Sequence, residues 1–299
     1  MNVIEINHIT KDYGRGRGVF DISFSVKEGE VLGFLGPNGA GKTTTIRQLM
    51  GFIKPDSGEV SVLGMDSFRD AGKIQKFLGY LPGEIAFIDS MNGMEFIRFV
   101  ARMKKMKDLG RAQELMEQFE LNPSGKLKKM SKGMKQKIGI VCAFMNPDAS
   151  LYILDEPSNG LDPVMQNRFI ELILSEKKRG KTILMSSHMF EEVERTCDRA
   201  AIIRDGKLAA VEEIGKLKER QQKIMEVTFQ DAGMAAQFAA EFSVTDYQPG
   251  AAAVTVRVGR DMDSFVKKAG QYTVTDLEVR TQSLEEFFLH FYGEGTSKP

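Results

Sequence analysis

The sequence predicts an α/β fold followed by a smaller α+β unit, and three observations carry that prediction. Apolar runs at 30–35, 151–154 and 182–185 each end abruptly in glycine or polar residues, the pattern of buried strands in a parallel sheet. The first run passes through a glycine-rich turn into a helix-like stretch at 44–50. Beyond about residue 219, strands of period two alternate with short helices in the order βαββαβ, which suggests a ferredoxin-like unit.

With 299 residues the chain is long enough for one large α/β domain and a small one, and its 42% hydrophobic content suits a packed globule. Lys plus Arg and Asp plus Glu each number 41, so net charge predicts no attraction to nucleic acid or to an anionic membrane. The two cysteines, Cys142 and Cys197, lack metal-ligand spacing and read as buried thiols of a reducing compartment. Residues 1–6 alternate like a strand without a signal-peptide pattern, and no apolar run approaches the roughly 20 residues that span a bilayer. The expected location is cytoplasmic, with any membrane role coming through a partner.

The turn at 36–43 reads Gly-Pro-Asn-Gly-Ala-Gly-Lys-Thr, the spacing of a phosphate-binding loop of the P-loop NTPase kind. Gly36, Gly39 and Gly41 let backbone amides approach phosphates, Lys42 is suited to reach the β and γ phosphates, and Thr43 can place its hydroxyl on Mg²⁺. The helix that follows aims its N-terminal dipole at the same anion. The second run ends in Asp155-Glu156-Pro157, which sets two carboxylates at the carboxyl edge of the sheet, where ligands bind. Asp155 is suited to hold Mg²⁺ through water, and Glu156 to polarise the water that attacks the γ phosphate. The third run leads into Ser186-Ser187-His188. Of the three histidines, His8 and His290 read as packing or surface residues. His188 repeats the strand-end position of Glu156 and is suited to hold the γ phosphate and the attacking water in line.

Ser131-Lys132-Gly133 opens a helix-like run to Met145, and its N-terminal amides make a second anion site. One triphosphate does not need two such sites from one chain, whereas two chains set head to tail would bring this helix end onto each other's phosphates. The lysines crowded around it read as a solvated face.

With these motifs the sequence resembles the ATP-binding subunit of an ABC transporter over residues 1 to about 215. Residues 36–43 match the Walker A motif, 151–156 match Walker B, and Ser131 and Gly133 match the signature motif. Residues 158–162 are similar to the D-loop, His188 to the switch histidine, and Tyr13 falls where the family places an aromatic that stacks on adenine. The resemblance implies an ABC ATPase domain at 1–218, with a mixed sheet and a helical subdomain at about 85–148, and an accessory domain at 219–299. It implies ATP and Mg²⁺, with nucleotide contacts from Asn38, Gly39, Ala40, Gly41, Lys42, Thr43 and Thr44. It implies a homodimer whose two composite sites each take Ser131 and Gly133 from the other chain, with Asp162 across the seam. The activity implied is ATP hydrolysis driving a separate transmembrane permease at the inner face of the membrane. The appended C-terminal domain and the residues at 81–84 and 131–136 resemble bacterial exporters, which favours a drug, peptide or lipid-like cargo.

Two departures from the family pattern stand out. Gly83 and Glu84 occupy the turn where the family places a glutamine that touches Mg²⁺ and the attacking water. Glu84 is a candidate to reach the metal or its waters; the other reading is a hinge residue with no metal contact. Lys132 and Met134 replace the usual glycine and glutamine, while the serine and following glycine remain. The alternative function, a soluble ABC-type ATPase acting on nucleic acid or the ribosome, would carry a heptad-rich insertion or a second cassette, and the sequence has neither. In the C-terminal part, strands are predicted around 225–229, near Val244, at 254–258 and at 272–279, with helices at 232–242 and 262–269. Ser283 and Glu286 form a capping box opening a last helix whose apolar face carries Phe287, Phe288 and Phe291. No second catalytic site is expected there.

Overall fold

The computed structural model describes residues 1–220, 223–258, 262–284 and 286. They fall into two units, Met1–Ile214 and Gly215–Pro299. In chain order the first unit begins with β1 (Asn2–Asp12), β2 (Gly18–Lys27), β3 (Val31–Leu35), α1 (Lys42–Leu49), β4 (Ser57–Val62), β5 (Met65–Asp66), the short α2 (Ala71–Ile74) and β6 (Leu78–Leu81). A helical insertion follows, with α3 (Gly93–Met103), α4 (Gly110–Gln118) and α5 (Lys132–Phe144). The chain then returns through β7 (Leu151–Asp155), α6 (Pro163–Lys178), β8 (Thr182–Ser187), α7 (Phe190–Thr196), β9 (Arg199–Arg204) and β10 (Lys207–Glu213), and α8 (Ile214–Arg220) begins the second unit.

The three apolar runs become β3, β7 and β8, neighbours in a six-stranded sheet of order β10-β9-β3-β8-β7-β6. All but β10 run parallel, and the register sets Leu35 beside Ser187 and Asp155 beside Ser186. Every residue of β3, β7 and β8 is buried, which is why these runs show no alternation. One face packs, with α1, against the antiparallel sheet β2-β1-β4-β5, where Ile4, Ile6 and Ile22 meet Phe34, Ile153 and Leu184. The Phe24 and Phe34 rings lie 5.2 Å apart across that layer. On β3, Gly33 lets α7 approach closely: a Cβ there would stand 2.7 Å from Val193 Cγ1. The position of α7, which directly follows His188, is therefore set by a missing side chain.

The helical insertion is tied down by polar contacts. Asn92 and Glu95 close a capping box at the start of α3. Arg111 of α4 donates at 2.8 Å to Glu176 of α6, a carboxylate only 1% exposed that also takes a bond from Arg179 at 2.9 Å.

In the second unit β11 (Lys223–Phe229), α9 (Ala232–Glu241), β12 (Ala253–Val258), α10 (Met262–Ala269) and β13 (Val274–Thr281) form a three-stranded antiparallel sheet, order β12-β11-β13, with two helices. Phe238 and Phe265 pack with Val227, Phe229, Val254 and Val256. The strand expected near Val244 is reduced to a single bridge between Asp246 and Thr255. Pro249 has no N–H to give a ladder, and Gly250 turns the chain at φ +90°, so pairing stops there. The last strand is shifted two residues from its expected span. The Ser283–Glu286 capping box forms, with both bonds at 3.1 Å. Phe287, Phe288, His290 and Phe291 lie outside the described residues. No helix among the described residues is long and apolar enough to cross a membrane.

Cys142 and Cys197 are both buried free thiols, and burial pushes each up to about 12. Neither is expected to react with an aromatic disulfide reagent at pH 8 while the protein stays folded, and both should react once it is unfolded in guanidinium. Rapid labelling of the native chain would contradict this packing.

Candidate active site

The site is assembled from three strand ends. After β3 the chain turns sharply at Gly36, where a Cβ would lie 2.3 Å from the Ile203 carbonyl oxygen. Gly41, at φ +110°, then starts α1, and a Cβ there would meet Val19 Cγ1 at 2.5 Å. No side chain caps this helix and its first turn holds no acid, so its amide donors remain for an anion. Lys42 is 5% exposed and donates to the carbonyls of Gly36 at 2.5 Å and Pro37 at 3.2 Å. Its ammonium also stands 3.0 Å from Glu156 Oε1.

At the end of β7, Asp155 is buried and accepts from Thr43 Oγ1 at 2.8 Å and from Ser186 Oγ at 2.5 Å. Glu156 follows with φ +50°, an uncommon conformation for a residue with a side chain, and its N–H donates to the same Ser186 hydroxyl at 2.9 Å. This turn swings the Glu156 carboxylate off the strand line toward Lys42 and His188. The His188 Nδ1 contact to Glu156 Oε2 is 2.6 Å. A carboxylate only accepts, so Nδ1 carries the proton and Nε2 is left facing away from Glu156. Nearby, burial and then the Asp155 charge push the Tyr80 phenol up to about 12, so it stays neutral.

A cleft of about 430 Å³ opens beside these groups, lined by Tyr13, Asn38, Gly39, Gly41, Lys42, Thr43, Thr44 and Glu156. Ala40 is buried behind it. Tyr13 is 48% exposed and its N–H donates to the Arg17 carbonyl, which sets a flat ring at the cleft's edge. Sequence reasoning missed Gly16, Arg17, Gly18, Asp205 and Gly206, which complete the wall. Gly206 donates to the Ala40 carbonyl and accepts from Phe20, joining three distant segments. The glycine spacing at 14–18 and the Asp-Gly pair at 205–206 were the available signals.

The remaining expected site residues do not line this cleft. Ser131 caps α5, accepting from the Met134 amide, and is solvent-exposed. Gly133 abuts the 158–162 loop, since a Cβ there would stand 2.7 Å from the Gly160 carbonyl oxygen, and Lys132 donates to Asn159 at 2.8 Å. Asp162 is exposed and caps α6, accepting from Met165. Gly83 presses on the Asp155 carboxylate, with a Cβ position 3.2 Å from Oδ2. Glu84, the next residue, is exposed.

A phosphate loop, paired carboxylates on the next strand but one and a helical insertion between them define an ATP-binding cassette. Residues 19–159 match the ABC transporter family, and the chain belongs to it as an ATPase subunit. It is 34% identical to the bacitracin transport ATP-binding protein BcrA of Bacillus licheniformis, over 98% of each chain. It is 36% identical to the linearmycin resistance ATP-binding protein LnrL of Bacillus subtilis, over 70% of this chain and 68% of that one. A solved structure of an ATP-binding subunit of an ABC transporter shares the fold with a TM-score of 0.65 and 30% identity, covering 72% of this chain and 92% of that chain.

Ser186 is fully buried and holds both Asp155 and the Glu156 amide. Replacing it by alanine strands a carboxylate oxygen and an N–H, and should lower unfolding stability by about 1–3 kcal/mol. Denaturant titration measures this; an unchanged midpoint would mean these bonds hold nothing in place.

Proposed function

We propose that this chain hydrolyses ATP at composite sites between two copies of itself and thereby drives a separate membrane permease that exports a drug, peptide or lipid-like molecule. The observation that carries the chemistry is the Glu156 carboxylate, held between Lys42 at 3.0 Å and His188 at 2.6 Å beside an anion-binding helix end. Phosphate oxygens compete for the Lys42 ammonium and draw it from Glu156, which leaves that carboxylate to accept from the attacking water. His188, oriented by its Nδ1 bond, presents Nε2 to the γ phosphate. The loop amides and Lys42 stabilise the charge that develops on the transferred group. Tyr13 offers its ring to the adenine.

Thr43 and Asp155 fit Mg²⁺: a hydroxyl and a buried carboxylate lie 2.8 Å apart, both hard oxygen donors, the kind this ion takes alongside phosphates and water. When bound, Mg²⁺ supplies neutralisation of phosphate charge. Ser131, exposed, and Gly133, half-buried, both lie apart from the cleft and suit recognition of a partner chain's nucleotide, and Asp162 suits the seam. Glu84 serves as a hinge residue beside Gly83, which itself closes on Asp155.

The transport reading draws support from the full-length similarity to a bacitracin transport ATP-binding protein. A place at the inner face of the membrane follows from attachment to the permease.

Glu156→Gln should slow hydrolysis by about 10²- to 10⁴-fold while leaving ATP binding intact and trapping an ATP-bound dimer. Lys42→Ala should instead weaken ATP binding itself. Separate measurements of affinity and turnover distinguish the two; full turnover by Glu156→Gln would remove that residue from the mechanism. Purified from its native cell, the protein should bring a membrane subunit with it, and recovery with ribosomes or DNA alone would overturn the transporter reading.

A further inference from the structure

Four residues after His188, on α7, Glu192 is a carboxylate that the mechanism above does not use. Its side chain is 4% exposed. Oε2 accepts from Ser187 Oγ at 2.7 Å, and the same hydroxyl accepts from the Met189 amide at 2.9 Å. Carboxylate, hydroxyl and amide thus brace the 187–189 turn on both sides of His188. The other oxygen, Oε1, is buried with no donor in hydrogen-bonding geometry.

Glu192 shares a small cavity of about 190 Å³ with Ser158, Gln166, Asn167, Met189 and Arg195. Ser158 begins the 158–162 loop, which ends at Asp162. Burial raises the Glu192 carboxyl above its ordinary range, and the Ser187 and Ser158 hydroxyls oppose that by favouring the charged form. An acid in this position costs stability that an apolar residue of similar size would not. Packing alone therefore gives no reason for a carboxylate here, whereas a group able to accept from two serines on two functional loops does.

We propose that Glu192 is a positioning residue that links the seam loop at Ser158 to the turn carrying His188, with Oε1 as the acceptor onto which the neighbouring Ser158 hydroxyl tightens when the partner chain presses on residues 158–162. Closure of the dimer seam is then transmitted to the histidine through one side chain. The inference rests on the assignment of Glu156 and His188 to hydrolysis and on the composite dimer.

The test is steady-state ATPase kinetics on the full chain with Glu192→Ala and Glu192→Gln. Alanine should lower kcat by about 10- to 100-fold, the scale of misplacing a reacting group by about an ångström, with KM for ATP nearly unchanged. Glutamine, whose amide accepts from one serine hydroxyl through its oxygen and donates to the other through its NH2, should restore most of the turnover. Ser158→Ala added to Glu192→Ala should cost little more than Glu192→Ala alone. Full kcat in Glu192→Ala, a change in KM alone, equal losses in alanine and glutamine, or multiplying losses in the double variant would each overturn the link. If Glu192→Ala does not fold, Ser187→Ala carries the same expectation, and full turnover there is equally fatal. Glu156→Gln in the same assay separates the two readings. Its inactivity alongside a fully active Glu192→Ala defeats only this inference; full activity of Glu156→Gln defeats the site assignment beneath it.

Discussion

β3, β7 and β8 end level with one another, and the ladder that fixes their register brings Lys42 and His188 within reach of the Glu156 carboxylate. Each of the three functional segments begins one or a few residues past a buried strand, so none can shift without breaking the sheet. Ser186 shows how tight the constraint is. It pairs with Asp155 in the ladder, donates to the Asp155 carboxylate and receives the Glu156 amide, so the sheet's last pairing and the site's first bonds share a residue. The unusual φ of Glu156 then becomes tolerable because its amide is anchored exactly where the chain must turn out of the strand.

The same sheet carries the site's connections outward. Gly33 lets α7 settle on β3, and α7 presents Glu192 beneath the His188 turn. On the far side of Glu156, Gln136 of α5 donates to the Pro157 carbonyl at 2.7 Å, tying the helix capped by Ser131 to the strand end that carries the Glu156 carboxylate. Gly133 and Gly160 close the same contact from the other end. The surface expected to meet a partner's nucleotide and the loop expected at the seam are thus one packed feature of the chain. This is the structural sense in which the phosphate cleft, open on its own, suits completion by a second copy.

Much of this was legible in the sequence because the informative parts are local. The phosphate loop is a strand, a turn and a helix start within about 20 consecutive residues, and the buried strands show uninterrupted apolar runs. Asp155, Glu156 and His188 were legible as strand-end residues, although which strands are neighbours was not written in any one segment. The wall formed by Arg17 and Asp205 was not legible, because it depends on Gly206 bonding across to Ala40 and Phe20 from separate parts of the chain. Near Val244 the error ran the other way. A strand was expected there although Pro249 and Gly250 follow and end the pairing. Glu192 escaped attention for a similar reason: within a charged helix it reads as a surface acid, and only the close approach of α7 to β3 buries it.

The central claim is that Lys42 and Ser131 of one chain serve different nucleotides. Complementation measures it most directly, by mixing a Lys42→Ala chain with a Ser131→Arg chain, each inactive alone. The account predicts that the mixture regains ATP hydrolysis, because the heterodimer holds one site with an intact phosphate loop from one chain and an intact serine from the other. A mixture no more active than its parts would contradict it and place the whole site within a single chain.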